Sequence, residues 1–364
     1  MHNIDMNKKP SIFNKLYVDL NAIAENYKTI QNFVGNNIKC ITNIKSNAYG
    51  LGVLPIMRCL SKAGCNKFFV TSLEEAIEIR NSLSITDEIY VLNGVFPGQE
   101  EYFAQYYIIP ILNTKEQFET FNNYRLKKNK NFSSVLNIDS GINRFGFTAE
   151  EAIVLAKDGF FNKKTKIVFL MSQLAFNGQE HEKHLKLLHQ LQEIFKIPMS
   201  LADSNYICLG KDYHFDIIRL GIILYGCAPK EMNLKDTVSL YSPIIQIKKV
   251  TEDIFVGHNN GTKVEKGSII ATIPIGYSHG LHRSMKDKIS FYISNTPVSI
   301  IGDISMDLTV IDVTNVPSYD LKIGAEVEIL GKNNSISHMA EQAGTTRHDI
   351  LNSLNTKLHK IYVE

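Results

Sequence analysis

Lys45, Arg144, Ser204 and Arg219 can each do chemistry, and each stands in or just beyond an apolar run of this 364-residue chain. Lys45 closes "IKCITNIK" and is followed at once by "SNAYGLG". The run before it is apolar and β-branched, which reads as a buried strand, and Gly50 and Gly52 then turn the chain. Arg144 lies in "NIDSGINRFGF", after the apolar "SVLNI". Ser204 follows "PMSLA", and Arg219 sits inside "IIRLGIILYG". An arginine within a buried strand needs a partner, because an unpaired buried charge is very costly. An ion pair with Asp216 is the plain reading for Arg219, and a solvated surface position the plain reading for Lys45.

A lysine at a strand end also suits Schiff-base chemistry. The amine must be neutral to attack a carbonyl, and burial near other cations favours the neutral form. Two enzyme classes use such a lysine: an aldolase that condenses with its substrate, and a pyridoxal-phosphate enzyme that holds its cofactor. The second also needs a phosphate cradle of glycine amides, hydroxyls and a tyrosine. "LADSN", "RLG" and Tyr49 are candidates for it.

The elements around these residues predict where they meet. "LYVDL", "IKCITNI", "KFFV", "EIYVL", "YIIPIL", "SVLNI", "KIVFLM", "PMSLA" and "IIRLGIILYG" read as strands. Ser72 with Glu75, Thr114 with Gln117 and Thr148 with Glu151 have the spacing of helix capping boxes. "HEKHLKLLHQLQEIF" places Leu185, Leu188, Leu191 and Phe195 on one helical face. Such alternation predicts an α/β fold, a (β/α)8 TIM-type barrel over residues 12–237. Its reacting groups would sit at the C-terminal strand ends. A doubly wound sheet is the alternative, but no strand runs into G-x-G-x-x-G. From residue 238 to 364, strands follow one another with short turns, which predicts a mainly β domain; residues 1–11 are expected to pack with it.

Composition excludes several classes. Thirty-nine basic residues against 37 acidic ones leave a net charge of +2, so no nucleic-acid surface is expected. No apolar run is long enough to span a bilayer, and the N-terminus lacks a signal peptide's apolar core. The five cysteines are scattered without C-x-x-C spacing, which predicts buried thiols in a reducing cytoplasm and no metal site.

Several ordered motifs then carry a resemblance. "IKSNAYGLG" resembles the K-x-N/D-A-Y-G-x-G attachment motif of alanine racemases. "IDSGINRFGF", "FDIIRLGIILYG", "IATIPIGYSHG", "IIGDISMD" and the terminal "KIYVE" resemble further motifs of that family, over nearly the whole chain. The resemblance implies pyridoxal 5′-phosphate held by Lys45 as an internal aldimine, with Lys45 also the base facing the α-proton of D-alanine. It implies that Tyr49, Ser204, the amides of Gly221 and Ile222, and Tyr362 hold the phosphate. It implies that Arg219 faces the pyridine nitrogen and that Arg144 contacts the cofactor and the substrate carboxylate. It also implies a homodimer with shared active sites, Tyr277 and Met306 coming from the opposite subunit. The expected function is racemisation of alanine, supplying D-alanine for peptidoglycan. Racemisation or decarboxylation of another amino acid, a non-catalytic cofactor carrier, and a cofactor-free aldolase are the alternatives.

The chain departs from the family pattern at one functional position above all. The family's second base is a tyrosine nineteen residues before the tyrosine matched by Tyr277, and that position holds His258. Gln173 stands where the family has a histidine supporting that tyrosine. Ser200 and Asp203 replace the His and Asn of H-x-A-N-S, Asn137 replaces a lysine often carbamylated, and Asp303 replaces an arginine. The Asn137 amide can still hydrogen-bond Arg144 but carries no negative charge. His258 is read either as a replacement base or as the loss of one. A histidine titrates near pH 6.5 and serves as a base without the help a tyrosine needs.

Overall fold

The computed structural model describes residues 14–157, 166–174, 180–227, 232–257, 261–354 and 358–364. Two compact units divide the chain. One comprises Ile23–Ala48 and Gly52–Lys235; the other comprises residues up to Ala22, Tyr49–Leu51 and Asp236–Glu364. The N-terminal segment 1–11 lies outside the described residues.

The chain opens with strand β1 (Lys15–Asp19) and helix α1 (Leu20–Val34). Eight parallel strands then close a barrel in sequence order: β2 (Lys39–Asn43), β3 (Lys67–Val70), β4 (Glu88–Val91), β5 (Ile108–Leu112), β6 (Ser133–Asn137), β7 (Lys166–Met171), β8 (Met199–Asp203) and β9 (Ile217–Leu220). β9 returns to pair with β2, Arg219 opposite Ile41. Ile41, Phe69, Tyr90, Ile111, Val135, Phe169, Met171 and Ile217 form one buried cluster drawn from seven of the strands. This apolar filling leaves the chemistry to the strand ends.

The intervening helices include α3 (Val53–Lys62), α4 (Leu73–Arg80), α5 (Glu100–Gln105), α6 (Lys115–Lys128), α7 (Ala149–Lys157) and α8 (His181–Phe195). Their starts follow the capping signals: Ser72 Oγ, Thr114 Oγ1 and Thr148 Oγ1 each accept from the amide three residues on. On α8, Leu188 and Leu191 are buried as the periodicity requires, and His184 joins them inside. Arg80 anchors the far end of α4. Buried, it donates to four carbonyls, of Tyr106, Ser84, Asp87 and Tyr107, at 2.7–3.2 Å.

The second unit is built on a nine-stranded sheet. Its strands are β1, β10 (Val238–Pro243), β11 (Gln246–Lys249), β14 (Ile269–Ile273), β15 (Ser290–Ile293), β16 (Thr296–Ile301), β17 (Thr309–Asp312), β18 (Glu326–Leu330) and β19 (His359–Val363). A two-stranded ribbon of β12 (Ile254–Val256) and β13 (Thr262–Val264) is not strand-paired with the sheet but packs on it, Val264 against Ile270 and Ile301, and helices α9 (Ile336–Ala343) and α10 (Arg347–Ser353) precede the last strand. β1 corrects the strand reading of "LYVDL" as part of the barrel: it lies between β10, antiparallel, and β19, parallel. Leu16 and Val18 are buried while Lys15, Tyr17 and Asp19 are half-exposed. One buried face suits such a sheet. Strands of a parallel barrel are covered on both faces, as the runs of buried residues in β3 and β4 show.

Candidate active site at the barrel mouth

Strand alternation delivers the polar residues. Side chains two apart share a face. Along β2 the inward series runs Ile41, Asn43, Lys45; after β5 it runs Ile111, Asn113; along β6, Val135, Asn137; along β7, Phe169, Met171, Gln173; along β9, Ile217, Arg219. Each series begins in the apolar cluster and ends in a polar side chain at the C-terminal mouth.

Lys45 begins a helical turn, α2 (Lys45–Tyr49), of the wrong hand. Ser46, Asn47, Ala48 and Tyr49 all have φ between 53° and 56°. Left-handed backbone costs a non-glycine residue about 1–2 kcal/mol, so the turn must be held from outside. The Ala48 amide donates to Ile44 C=O at 2.9 Å, and Asn47 Oδ1 accepts from Val53 N–H at 2.7 Å. The Lys45 amine is held below its ordinary proton affinity, first by burial and then by the Arg144 guanidinium; Glu75 and Asp203 oppose this. That is the direction a nucleophilic amine needs.

Arg144 is presented by a loop whose far end returns to pair in parallel with the residues after β6, Phe147 beside Ile138. Phe147 N–H donates to Asn137 C=O and Asp139 N–H to Phe147 C=O, both at 2.8 Å. Asp139 Oδ1 accepts from the amides of Gly141 and Asn143. Gly141 has φ +137°, and a Cβ there would meet the His184 ring at 2.4 Å, so the loop rests against α8 only if residue 141 is glycine. Arg144 Nη2 donates to Gln173 Oε1 at 3.0 Å, and Gln173 Nε2 donates to Asp203 Oδ2 at 3.1 Å. A cation on one side and an anion on the other fix which way the Gln173 amide points. Asn137 corrects its expected role. Its Nδ2 donates to Asn113 Oδ1 at 2.9 Å and to Phe145 C=O at 3.3 Å, not to Arg144. As a short side chain at the end of an inward series, it spans from the neighbouring strand to the loop backbone beside Arg144, without meeting the guanidinium.

Arg219 also departs from its plain reading. Asp216 accepts from Gln192 Nε2 and the Met199 amide, both at 2.9 Å, and is therefore committed to α8 and β8. The buried Arg219 guanidinium donates to Ser200 Oγ at 2.9 Å and to the carbonyls of Ser200 and Leu201 at 3.1 Å. All three acceptors are uncharged. Burial lowers its pKa and Asp203 opposes this. Beside it, Ser204 Oγ accepts from Gly221 N–H at 2.8 Å and from Ile223 N–H at 3.5 Å, and Ile222 is buried between them. The barrel unit thus gathers Lys45, Arg144, Ser204, Arg219 and Gly221 with Gln173 and Asp203.

The remaining sequence-derived residues belong to the other unit. Tyr362, on β19, donates from its hydroxyl to Leu51 C=O at 2.9 Å, two residues beyond the buried Tyr49. Tyr277 and Met306 share one rigid loop pair: Tyr277 N–H donates to Ser305 C=O at 3.0 Å and Ser278 N–H to Met306 C=O at 2.9 Å. Their side chains are 43% and 54% exposed. His258 lies outside the described residues. Sequence reasoning passed over Asn113, although it too closes an apolar strand and the strand-end argument applies to it unchanged.

Two family models match, the alanine racemase N-terminal domain over residues 18–229 and the alanine racemase C-terminal domain over residues 237–362. The alanine racemase of Rickettsia akari is 34% identical over 354 residues, covering 96% of this chain and 99% of that one. The alanine racemase of Brucella canis is 33% identical over 371 residues, covering 96% and 93%. The fold resembles the crystal structure of alanine racemase from Bartonella henselae with covalently bound pyridoxal phosphate. That comparison has a TM-score of 0.92 and 31% identity, and covers 97% of this chain and all of that one.

The charges around Lys45 make its titration predictable. In the full-length protein without cofactor, the pH midpoint for acylation of Lys45 by a neutral reagent lies below the ordinary 10.5. Arg144→Met removes the cation that favours the neutral amine, so the midpoint rises. Peptide-resolved mass spectrometry across a pH series measures both, and an unchanged or lower midpoint in the variant would contradict the assignment.

Proposed function

The chain belongs to the alanine racemase family, and we propose that its barrel mouth interconverts L- and D-alanine with pyridoxal 5′-phosphate carried on Lys45. The donor set fits that cofactor. It offers an amine biased toward its neutral form, a hydroxyl with two neighbouring amides, and a buried guanidinium with only neutral acceptors. The observation that carries the reading is this half-buried amine at a barrel strand end beside Arg144.

When bound, pyridoxal phosphate supplies an electron-withdrawing ring that acidifies the α-proton of the amino acid joined to it. The protein's part is to hold and to move protons. Lys45 Nζ would hold the cofactor and, with the substrate in place, would exchange a proton at the D face of its α-carbon. Ser204 Oγ and the amides of Gly221 and Ile222 would hold the phosphate, the Gly221 amide exchanging its bond to Ser204 Oγ for one to the phosphate. Arg219 faces the ring nitrogen. A guanidinium donates a hydrogen bond without surrendering its proton, so Arg219 would keep that nitrogen unprotonated and limit side reactions. Arg144, oriented by Gln173, binds the substrate carboxylate.

The L face needs a second base, and we assign it to His258. The support is its spacing from Tyr277 and the presence of Gln173 where the family's supporting histidine would stand. We further propose a cytoplasmic homodimer in which Tyr277 and Met306 complete the partner's site, its D-alanine serving peptidoglycan synthesis. Their exposure on a hydrogen-bonded loop pair supports this.

Two experiments follow. Purified protein racemises alanine from either enantiomer; in deuterium oxide, His258→Ala loses α-proton exchange from L-alanine by about 10²–10⁴ while exchange from D-alanine persists through Lys45. Equal exchange of both enantiomers at the parent rate would remove His258 from the mechanism. For the assembly, Lys45→Ala and Tyr277→Ala proteins, each poorly active, recover activity after subunit exchange. No recovery in the exchanged heterodimers would mean that each site is built from one chain.

A further inference from the structure

The capping box of Ser72 and Glu75 is only half made. Ser72 Oγ accepts from the Glu75 amide at 3.4 Å, but the carboxylate does not return to the Ser72 amide in the usual manner. Glu75 Oε2 accepts from Thr71 N–H at 2.7 Å, and Oε1 accepts from Ser46 N–H at 2.8 Å. Thr71 directly follows β3, and Ser46 directly follows Lys45 beyond β2. One carboxylate therefore ties two adjacent strand ends together and grips the residue next to the lysine.

Gln117, the third residue of α6 as Glu75 is of α4, makes a comparable tie with different partners. Its Oε1 accepts from Asn113 N–H at 2.9 Å and its Nε2 donates to Asn93 C=O at 2.9 Å. One donor and one acceptor suit an amide. At position 75 both partners are N–H groups, and a carboxylate accepts from both where an amide accepts through its single oxygen. The choice of Glu over Gln at 75 is thus explained by the two groups it meets.

What the carboxylate grips is the left-handed turn of residues 46–49. Backbone of this kind persists only where its surroundings over-determine it, and it clusters at functional sites. Ser46 is the first residue of that turn, so holding its amide fixes where the left-handed path begins and hence how Lys45 leaves the strand. The charged groups acting on the Lys45 amine are Arg144 from the loop after β6, Glu75 from α4 and Asp203 from β8. Glu75 is the one of these three that also binds the backbone beside the lysine.

We propose that Glu75 is a positioning residue for Lys45: by accepting from both Thr71 and Ser46 it fixes the left-handed turn that aims the lysine into the barrel mouth. The proposal rests on the reading of Lys45 as the cofactor lysine.

The test uses the full-length protein without cofactor. Amide hydrogen exchange is followed over residues 44–52, with residues 113–117 as the internal reference, and the pH midpoint for acylation of Lys45 is measured alongside. Glu75→Gln presents an NH₂ group to one of the two backbone donors. Exchange over 44–52 then speeds up about tenfold or more while 113–117 is unchanged, and the Lys45 midpoint falls because an anion is lost. Glu75→Asp keeps the charge but is one methylene short. It speeds exchange over 44–52, and because the turn no longer aims Lys45, the midpoint moves from the parent's although the charge is kept. Unchanged exchange over 44–52 in both variants would overturn the clamp. Faster exchange with an unmoved midpoint in Glu75→Gln would reduce Glu75 to a structural tie and overturn its part in setting Lys45. Which lysine receives the cofactor is read separately by borohydride trapping, so failure of that premise is distinguishable from failure of the clamp.

Discussion

A primary amine, partly withdrawn from water and set beside a guanidinium, is the interaction on which the rest of the structure depends. Burial and Arg144 both disfavour the ammonium form of Lys45, and Glu75 and Asp203 pull the other way. Such a balance needs fixed distances, because charge interactions in a partly buried site change steeply with separation. The barrel provides them. Its apolar interior is closed by eight strands, and each inward series that passes through it ends at the mouth in a polar side chain with a defined partner. Asn137 on Asn113, Gln173 between Arg144 and Asp203, and Arg219 on Ser200 are three such ends.

The departures from the family pattern make physical sense as a set. In place of Asn137, the structure gives Arg144 another neutral amide, Gln173, whose other end rests on Asp203. The negative charge has not vanished from the mouth; it sits one residue further along the chain of hydrogen bonds. Asp203 acts from there on both Arg219 and Lys45. Gln173, in committing its oxygen to Arg144 and its amide to Asp203, is no longer a group that could assist a base by proton transfer. An imidazole's unperturbed pKa is near neutrality, and the proposal that His258 is the second base takes the changes at 173 and 258 together on that ground.

Much of this was legible in the sequence, and the reasons differ from residue to residue. Lys45 and Ser204 were found because apolar runs stop at them, and Arg144 because it lies in the loop after one. Barrel geometry makes each of these places a mouth position. Arg219 stood out because a cation inside an apolar strand demands explanation, but its plain reading, an ion pair with Asp216, fails: sequence proximity says nothing of Gln192 and Met199, which take that carboxylate. β1 was placed with the barrel although "KLYVD" alternates strictly, the mark of a strand with one wet face. Glu75 read as an ordinary helix cap, since the N–H it reaches at Ser46 is 29 residues away and only folding brings it near. The proposal for His258 rests on motif spacing and the change at Gln173.

The central claim is that Lys45 carries the cofactor, and covalent trapping tests it most directly. Protein loaded with pyridoxal phosphate is reduced with borohydride, digested and mapped by mass spectrometry. The account predicts one pyridoxyl group per chain, on the peptide containing Lys45, with the fluorescence of the reduced adduct absent from Lys45→Ala. A label on any other lysine, or an equal label in Lys45→Ala, would contradict it.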